Sequence, residues 1–230
     1  YFPFVGLLMG LVLMLVELGA SRIFPPPLTA ALLVVLLLLL TRGLHIDGLM
    51  DVCDGLFGGT TPERRMEIMR DSRVGAFAVA GAVGVLLLKY GALVSLTSLA
   101  SPGKEMALLL FPAISRWTMV AALAAFPYAR NQGLGSPFHQ GNVFPATVLA
   151  ALVATLIAIL FGGIAGAGIL IGATLLAWIL GIGMFKMLGG LTGDTYGAIN
   201  ELVEVATLAA AVAVIPYGWL DPLPRSFGWI

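Results

Sequence analysis

Charge is what this sequence has least of. Lys, Arg, Asp and Glu make up 10% of its 230 residues, where soluble domains carry about 25%. Hydrophobic residues reach 60%. That balance excludes a soluble globular domain, because a core of this size cannot hide so much apolar surface and the remainder must face lipid. Basic and acidic residues cancel, 12 against 12, so no basic excess points to nucleic acid. Cysteine occurs once, at Cys53, which excludes an internal disulfide and argues against a cysteine-based zinc site. Repeated half-sequences of the kind many transporters show are absent as well.

What is present is apolar sequence in long runs, with a mean hydropathy of +1.03. A crossing helix needs about 20 residues, and by that measure the chain reads as roughly seven spans: 4–20, 27–44, 74–99, 105–127, 143–162, 164–185 and 197–216. Pro25-Pro26-Pro27 and Ser101-Pro102-Gly103 separate the early spans, since proline cannot continue a helix. The glycines between Gly162 and Gly172 mark either a turn or a close helix–helix contact. The expected fold is therefore an all-α, polytopic membrane bundle forming one domain over 1–230, with motif loops at about 42–73, 128–142 and 186–197. Those loops share one face, which holds Arg42, Arg64, Arg65, Arg70, Arg73, Arg130 and Lys186. The other face holds Arg22, Lys104 and Arg225, so the positive-inside rule makes the motif face cytoplasmic. No signal-peptide pattern appears, and a start at Tyr1 rather than Met leads one to expect an upstream piece.

Eleven of the 24 charged residues lie between Arg42 and Arg73. Asp47, Asp51 and Asp54 are spaced i, i+4, i+7, so on a helix they fall within roughly 60° of one another. Like charges on one stripe repel. A cation between them removes that cost, and carboxylates without cysteine suit a hard ion such as Mg²⁺ or Mn²⁺. The alternative is a solvated helix end whose acids pair with Arg64, Arg65 and Arg70. Thr61 followed by Pro62 predicts the start of a short amphipathic helix on the membrane surface. Beyond it, Arg70 and Arg73 are candidate phosphate ligands through their multi-donor guanidinium groups.

A second Gly-rich segment runs from Gly189 to Ala198 and opens the last span, where backbone N–H groups favour anions. Thr192 and Glu201 are candidate substrate contacts there, and Asp194 is either an acid of the site or an N-cap. Arg116 lies mid-span and requires an acidic partner inside the bundle. Lys89 and Glu17 read as structural. His45, two residues before Asp47, is a candidate for orienting that acid or meeting phosphate, whereas His139 has no evident partner. Asp71 and Asp194 are the candidate general bases, being acids on the same face but off the stripe. Metal-holding acids beside phosphate-holding arginines suit a metal-dependent phosphotransferase. A transporter with an intramembrane charge path is the reading from another class.

The run from Gly43 to Phe57 closely resembles the signature of the cobalamin synthase family, the adenosylcobinamide-GDP ribazoletransferases. So do the stretches Arg65–Gly75, Ser115-Arg116, Gly133-Leu134-Gly135 and Gly189–Ala198, in the family's order. The resemblance implies joining α-ribazole, or its 5′-phosphate, to adenosylcobinamide-GDP with release of GMP, using Mg²⁺. It also implies that Asp47, Asp51 and Asp54 bind the metal while a ribose hydroxyl attacks the cobinamide-linked phosphorus. The expected location is the prokaryotic inner membrane. Asp51-Val52-Cys53-Asp54-Gly55 is similar as well to the opening of the CDP-alcohol phosphotransferase motif, but the Ala-Arg that follows in that family is missing here.

Overall fold

The structure is a computed structural model that describes residues 1–99, 102–129, 143–220 and 222. It is all-helical. The elements are α1 (Phe2–Ala20), α2 (Pro26–Leu40), α3 (Leu44–Gly58), α4 (Pro62–Ile68), α5 (Ala76–Thr97), α6 (Pro102–Ala125), α7 (Phe144–Leu188) and α8 (Gly193–Val214), followed by a 3-10 turn at Ile215–Tyr217. Apolar side chains such as Leu8, Leu15, Leu39, Leu87, Leu152 and Ile179 stand exposed on the outside, as a lipid-facing surface requires. Inside, α6 and α8 are the most enclosed elements, with Leu108, Phe111, Ile199, Val203 and Leu208 fully covered.

Among the described residues five helices are long and apolar enough to cross a membrane, or six if the bent pair α2–α3 counts as one span. The expected count of seven is not reached on that measure. One reason is that α2 has only 15 residues. The other is that the spans expected at 143–162 and 164–185 belong to one element of 45 residues, α7. That element is not straight. Gly163 adopts φ 57°, ψ −141°, a conformation that only glycine reaches without strain. A Cβ added to Gly166 would collide with the carbonyl of Ala158. Eight residues along a continuous helix would separate those positions by about 12 Å, so the halves of α7 fold back on each other.

The motif segment over 42–73, read between spans with its acids at helical spacing and a short helix after Thr61, is mostly helix. α2 ends in a Schellman closure, with Gly43 N–H donating to the Leu38 carbonyl at 2.8 Å and Arg42 N–H to that of Leu39 at 3.0 Å. Arg42, at φ 53°, holds the left-handed position usually given to glycine. The chain then turns by 87° into α3. α4 starts where its caps predict, Thr61 Oγ accepting from Arg64 N–H at 3.3 Å, and Met69 beyond it packs buried against Gly55 of α3. Arg65 ties this region together, donating to the carbonyls of Gly59 at 3.0 Å and Met187 at 3.1 Å. The Met187 carbonyl lies in the last turn of α7, where a cation is favoured. Arg64 pairs with Glu67 at the surface, so the alternative pairing of Arg64 and Arg65 with the aspartates of α3 is not what these two arginines do.

Candidate functional site

The acid stripe and the second Gly-rich segment meet. α3 crosses the start of α8 so closely that a Cβ on Gly48 would stand 2.7 Å from the Asp194 carbonyl oxygen and 2.9 Å from its Cα. One turn further on, a Cβ on Gly197 would be 3.1 Å from the His45 carbonyl oxygen. Small residues at both points let the two backbones touch. Gly48 lies between Asp47 and Asp51, so the acids of α3 and Asp194 share one region although almost 150 positions separate them.

The start of α8 is held by its own side chains. Thr192 is the N-cap, its hydroxyl accepting from Thr195 N–H at 3.3 Å, while Thr195 Oγ accepts from Thr192 N–H at 2.8 Å. This reciprocal pair satisfies two otherwise orphaned donors. The N-cap is therefore Thr192, which corrects the alternative that Asp194 fills that role. Asp194 instead accepts from the Thr192 hydroxyl at 3.3 Å, which fixes its carboxylate in the first turn. Thr192 is fully buried, with its hydroxyl already engaged at both ends. The preceding residues are anchored by an isolated bridge, Leu191 N–H donating to the Pro127 carbonyl at 2.9 Å and Ala129 N–H to that of Leu191 at 2.8 Å.

The three aspartates of the stripe do not have one environment. Asp47 is exposed, and Asp51 and Asp54 are half-buried. Asp54 accepts from Gly75 N–H at 2.6 Å and from Ala78 N–H at 2.8 Å. These are the N-cap and N3 donors of α5, the pair that a capping box would satisfy. Here a carboxylate from another helix serves both. Among the described residues no three His, Cys, Asp or Glu side chains gather in a way that could hold a metal ion. A pair does fit a hard ion: Asp47 and Asp51 offer oxygen donors one turn apart, and Mg²⁺ takes one or two carboxylates, keeping water and phosphate oxygens as its other ligands.

Asp71 and Arg73 form an exposed pair. Arg73 donates through its Nε and Nη2 to the carboxylate, with the shortest contact at 2.6 Å, and its backbone N–H adds a bond of 3.0 Å. Those bonds hold the Asp71 carboxyl down to about 2 and raise Arg73 above its ordinary value. Asp71 and Arg73 line a cleft with Asp54, Gly58 and Phe77. Arg70 lies on a different one, beside Glu67, Met66 and Leu188.

A buried ion network lies directly behind α3. Lys89 Nζ of α5 donates to Glu201 Oε2 at 2.7 Å and Glu204 Oε2 at 2.6 Å. Arg116 of α6 donates through Nη1 to Glu204 Oε1 and, at 3.0 Å, to Ser115 Oγ. Asn200 Nδ2 lies 3.1 Å from Glu204 Oε1 and 3.0 Å from His45 Nδ1. Two cations and two carboxylates thus cancel inside the bundle. Arg116 finds the acidic partner that its mid-span position demands, and Lys89 is structural as expected. A second pair in the interior, Lys104 with Glu17 at 2.8 Å, fastens α6 to α1. Glu201, expected at the substrate, is engaged with Lys89. The members that the sequence reading left unassigned are Asn200 and Glu204. Their signal was a charged residue and an amide at spacing i, i+4 in an otherwise apolar helix. Gly133-Leu134-Gly135, His139 and Arg130 lie outside the described residues.

Residues 1–212 match the family model described as cobalamin-5-phosphate synthase. The adenosylcobinamide-GDP ribazoletransferase of Desulfitobacterium hafniense is 43% identical over 220 residues, covering 94% of this chain and 85% of that protein. That of Syntrophobacter fumaroxidans is 41% identical over 227 residues, 93% of this chain and 86% of the relative. The protein of the same name from Escherichia coli O17:K52:H18 is 37% identical over 212 residues, 91% and 85% of the two chains. No solved structure matches.

Proposed function

The chain belongs to the cobalamin-5-phosphate synthase family, and from that premise we propose that it transfers a cobinamide phosphate from adenosylcobinamide-GDP to α-ribazole or α-ribazole 5′-phosphate, releasing GMP. The observation that carries this reading is the contact of Gly48 with the Asp194 backbone. It joins the two most specific motif segments of the chain at one place, with carboxylates on both sides.

In this reading Asp47 and Asp51 would hold Mg²⁺ (Mn²⁺ fits the same donors), which when bound supplies neutralisation of the phosphoryl oxygens. A ribose hydroxyl of the acceptor attacks the cobinamide-linked phosphorus; the new P–O bond forms as the pyrophosphate P–O bond breaks, and GMP leaves with the bonding pair. Asp194 takes the hydroxyl proton, since its carboxylate is fixed at the α3–α8 contact. Asp71, clamped by Arg73 at a pKa of about 2, is poorly matched to proton abstraction near neutrality. Arg70 and Arg73 meet phosphate oxygens from outside. Asp54 keeps α5 in register behind the site. Thr192 and Glu201 position α8. The reaction takes place at the cytoplasmic face of the inner membrane, where the positive residues gather.

The test is release of GMP from adenosylcobinamide-GDP by the purified protein in liposomes, with and without Mg²⁺, with each acceptor. The reading predicts release only when acceptor and Mg²⁺ are both present. Absence of release with either acceptor overturns it.

A further inference from the structure

A cavity of about 360 Å³ lies between α1, the α2–α3 corner and α6, with Val5, Met9, Leu44 and Met119 among its walls. Its size falls in the range of small-molecule pockets, about 300–1,000 Å³. Two nitrogen-bearing side chains line it, Arg116 and His45. Arg116 is 3% exposed and commits Nη1 to Glu204 and Ser115, whereas its Nη2 has no hydrogen-bond partner among the described residues. A buried guanidinium with an idle amino group is costly unless something accepts from it.

The network also assigns the proton of His45. Glu204 only accepts, so the part of Asn200 beside it is the NH₂ group, and that same nitrogen lies 3.0 Å from His45 Nδ1. One amide hydrogen goes to each, so Nδ1 accepts and the ring N–H is at Nε2. Among the described residues Arg116 Nη2 therefore has no acceptor, and His45 lines the same cavity with its ring N–H at Nε2. Donors within apolar walls suit an anion on an apolar body, and Met9 and Met119 add the sulfur contacts that aromatic rings favour.

Resting on the ribazole-transfer reading, we propose that this cavity binds a phosphate monoester carried on an apolar aromatic body, the acceptor's own phosphate. It is thereby the feature that separates phosphorylated from unphosphorylated acceptors. A phospholipid headgroup, a phosphodiester on apolar chains, shares the anionic phosphate oxygens, and the test below distinguishes the two.

The protein in phosphatidylcholine nanodiscs is assayed for GMP release with α-ribazole 5′-phosphate and with α-ribazole. The expected kcat/KM ratio favours the phosphate by about tenfold or more, the worth of a charged hydrogen bond. Arg116→Lys, which keeps a cation against Glu204, and Met119→Trp, which fills the cavity without touching the network, each bring the ratio toward one, mainly through KM. In the unsubstituted protein, inorganic phosphate competes with the phosphorylated acceptor and not with α-ribazole. No GMP from either acceptor overturns the functional reading itself. GMP release with a ratio that neither variant moves, or with phosphate competing equally against both acceptors, overturns this inference alone. A phospholipid retained through delipidation by the unsubstituted protein and lost from both variants, with the acceptor ratio unmoved, gives the cavity to a headgroup and overturns it as well.

Discussion

Lys89 of α5 and Glu204 of α8 meet at 2.6 Å inside the bundle, each with a side chain 2% exposed. Burying one such charge without the other is strongly unfavourable. Lys89→Met leaves Glu201 and Glu204 facing each other and is expected to cost about 3–5 kcal/mol. The double variant Lys89→Met/Glu201→Gln restores charge balance with Arg116 and is expected to regain most of that loss. Thermal unfolding in detergent measures both. A single variant with an unchanged midpoint would show that the pair contributes nothing.

The α3–α8 contact gives a substitution with a built-in control. Gly48→Ala forces a Cβ to within 2.7 Å of the Asp194 carbonyl oxygen, and backbone on both sides cannot yield cheaply. The expected loss is about 1–3 kcal/mol, with a fall in GMP release as Asp194 is displaced. A Cβ on Gly84 meets nothing within 4 Å, so Gly84→Ala on the outer side of α5 is expected to be neutral or stabilising by about 0.5–1 kcal/mol. Equal effects from the two would contradict the packing.

Asp54 is separable from its neighbours by experiment. Asp54→Ala removes the acceptor for two N–H groups of α5 and is expected to lower stability by about 1–2 kcal/mol, with Asp54→Asn keeping part of it. Asp47→Asn, at an exposed position, is expected to leave the thermal midpoint in place, and Asp47→Asn and Asp51→Asn are each expected to abolish Mg²⁺-dependent GMP release. Mg²⁺ titrations of the three variants, read beside their melting curves, decide the matter. Loss of Mg²⁺ response in Asp54→Asn at full stability would return it to the metal.

The clamp on Asp71 makes a prediction about pH. Its carboxyl is depressed to about 2 by the Arg73 bonds. The pair's contribution is therefore present above the ordinary carboxylate value and lost as pH falls toward 2. Asp71 stays ionised throughout the neutral range. A pH–rate profile of Asp71→Asn is expected to match that of the unsubstituted enzyme, whereas Asp194→Asn is expected to abolish GMP release. A limb displaced in Asp71→Asn would show that Asp71 leaves Arg73 during turnover.

Much of this was legible because charge in an apolar chain stands out. Arg116 demanded an acid, and Glu204 provides it. Thr61-Pro62 announced α4. The motif segments drew attention to Gly48 and to the glycines before α8. What remained hidden depends on partners far along the chain. Periodicity puts Asp54 on a stripe with Asp47 and Asp51, but the N–H groups that claim it belong to Gly75 and Ala78, and a helical wheel of α3 does not contain them. Thr192 reads as a substrate contact, and the sequence does not show that its hydroxyl also closes the cap of its own helix. The glycines near 162 announced a break, but only the approach of Gly166 to Ala158 shows it to be a reversal.

The balanced charges behind α3 have a consequence for biosynthesis. A carboxylate at the middle of an inserting helix costs about 2.5–3.5 kcal/mol, and α8 has Glu201 and Glu204, both buried among other helices in the finished protein. Their counter-ions, Lys89 and Arg116, are encoded earlier, so the ribosome delivers both cations before either anion. The last long helix then enters a bundle already charged to receive it, and docking it neutralises all four groups in one step. Insertion of α8 and completion of the fold are on this account a single event, and a chain stopped before α8 is left with two cations in the membrane and nothing to answer them.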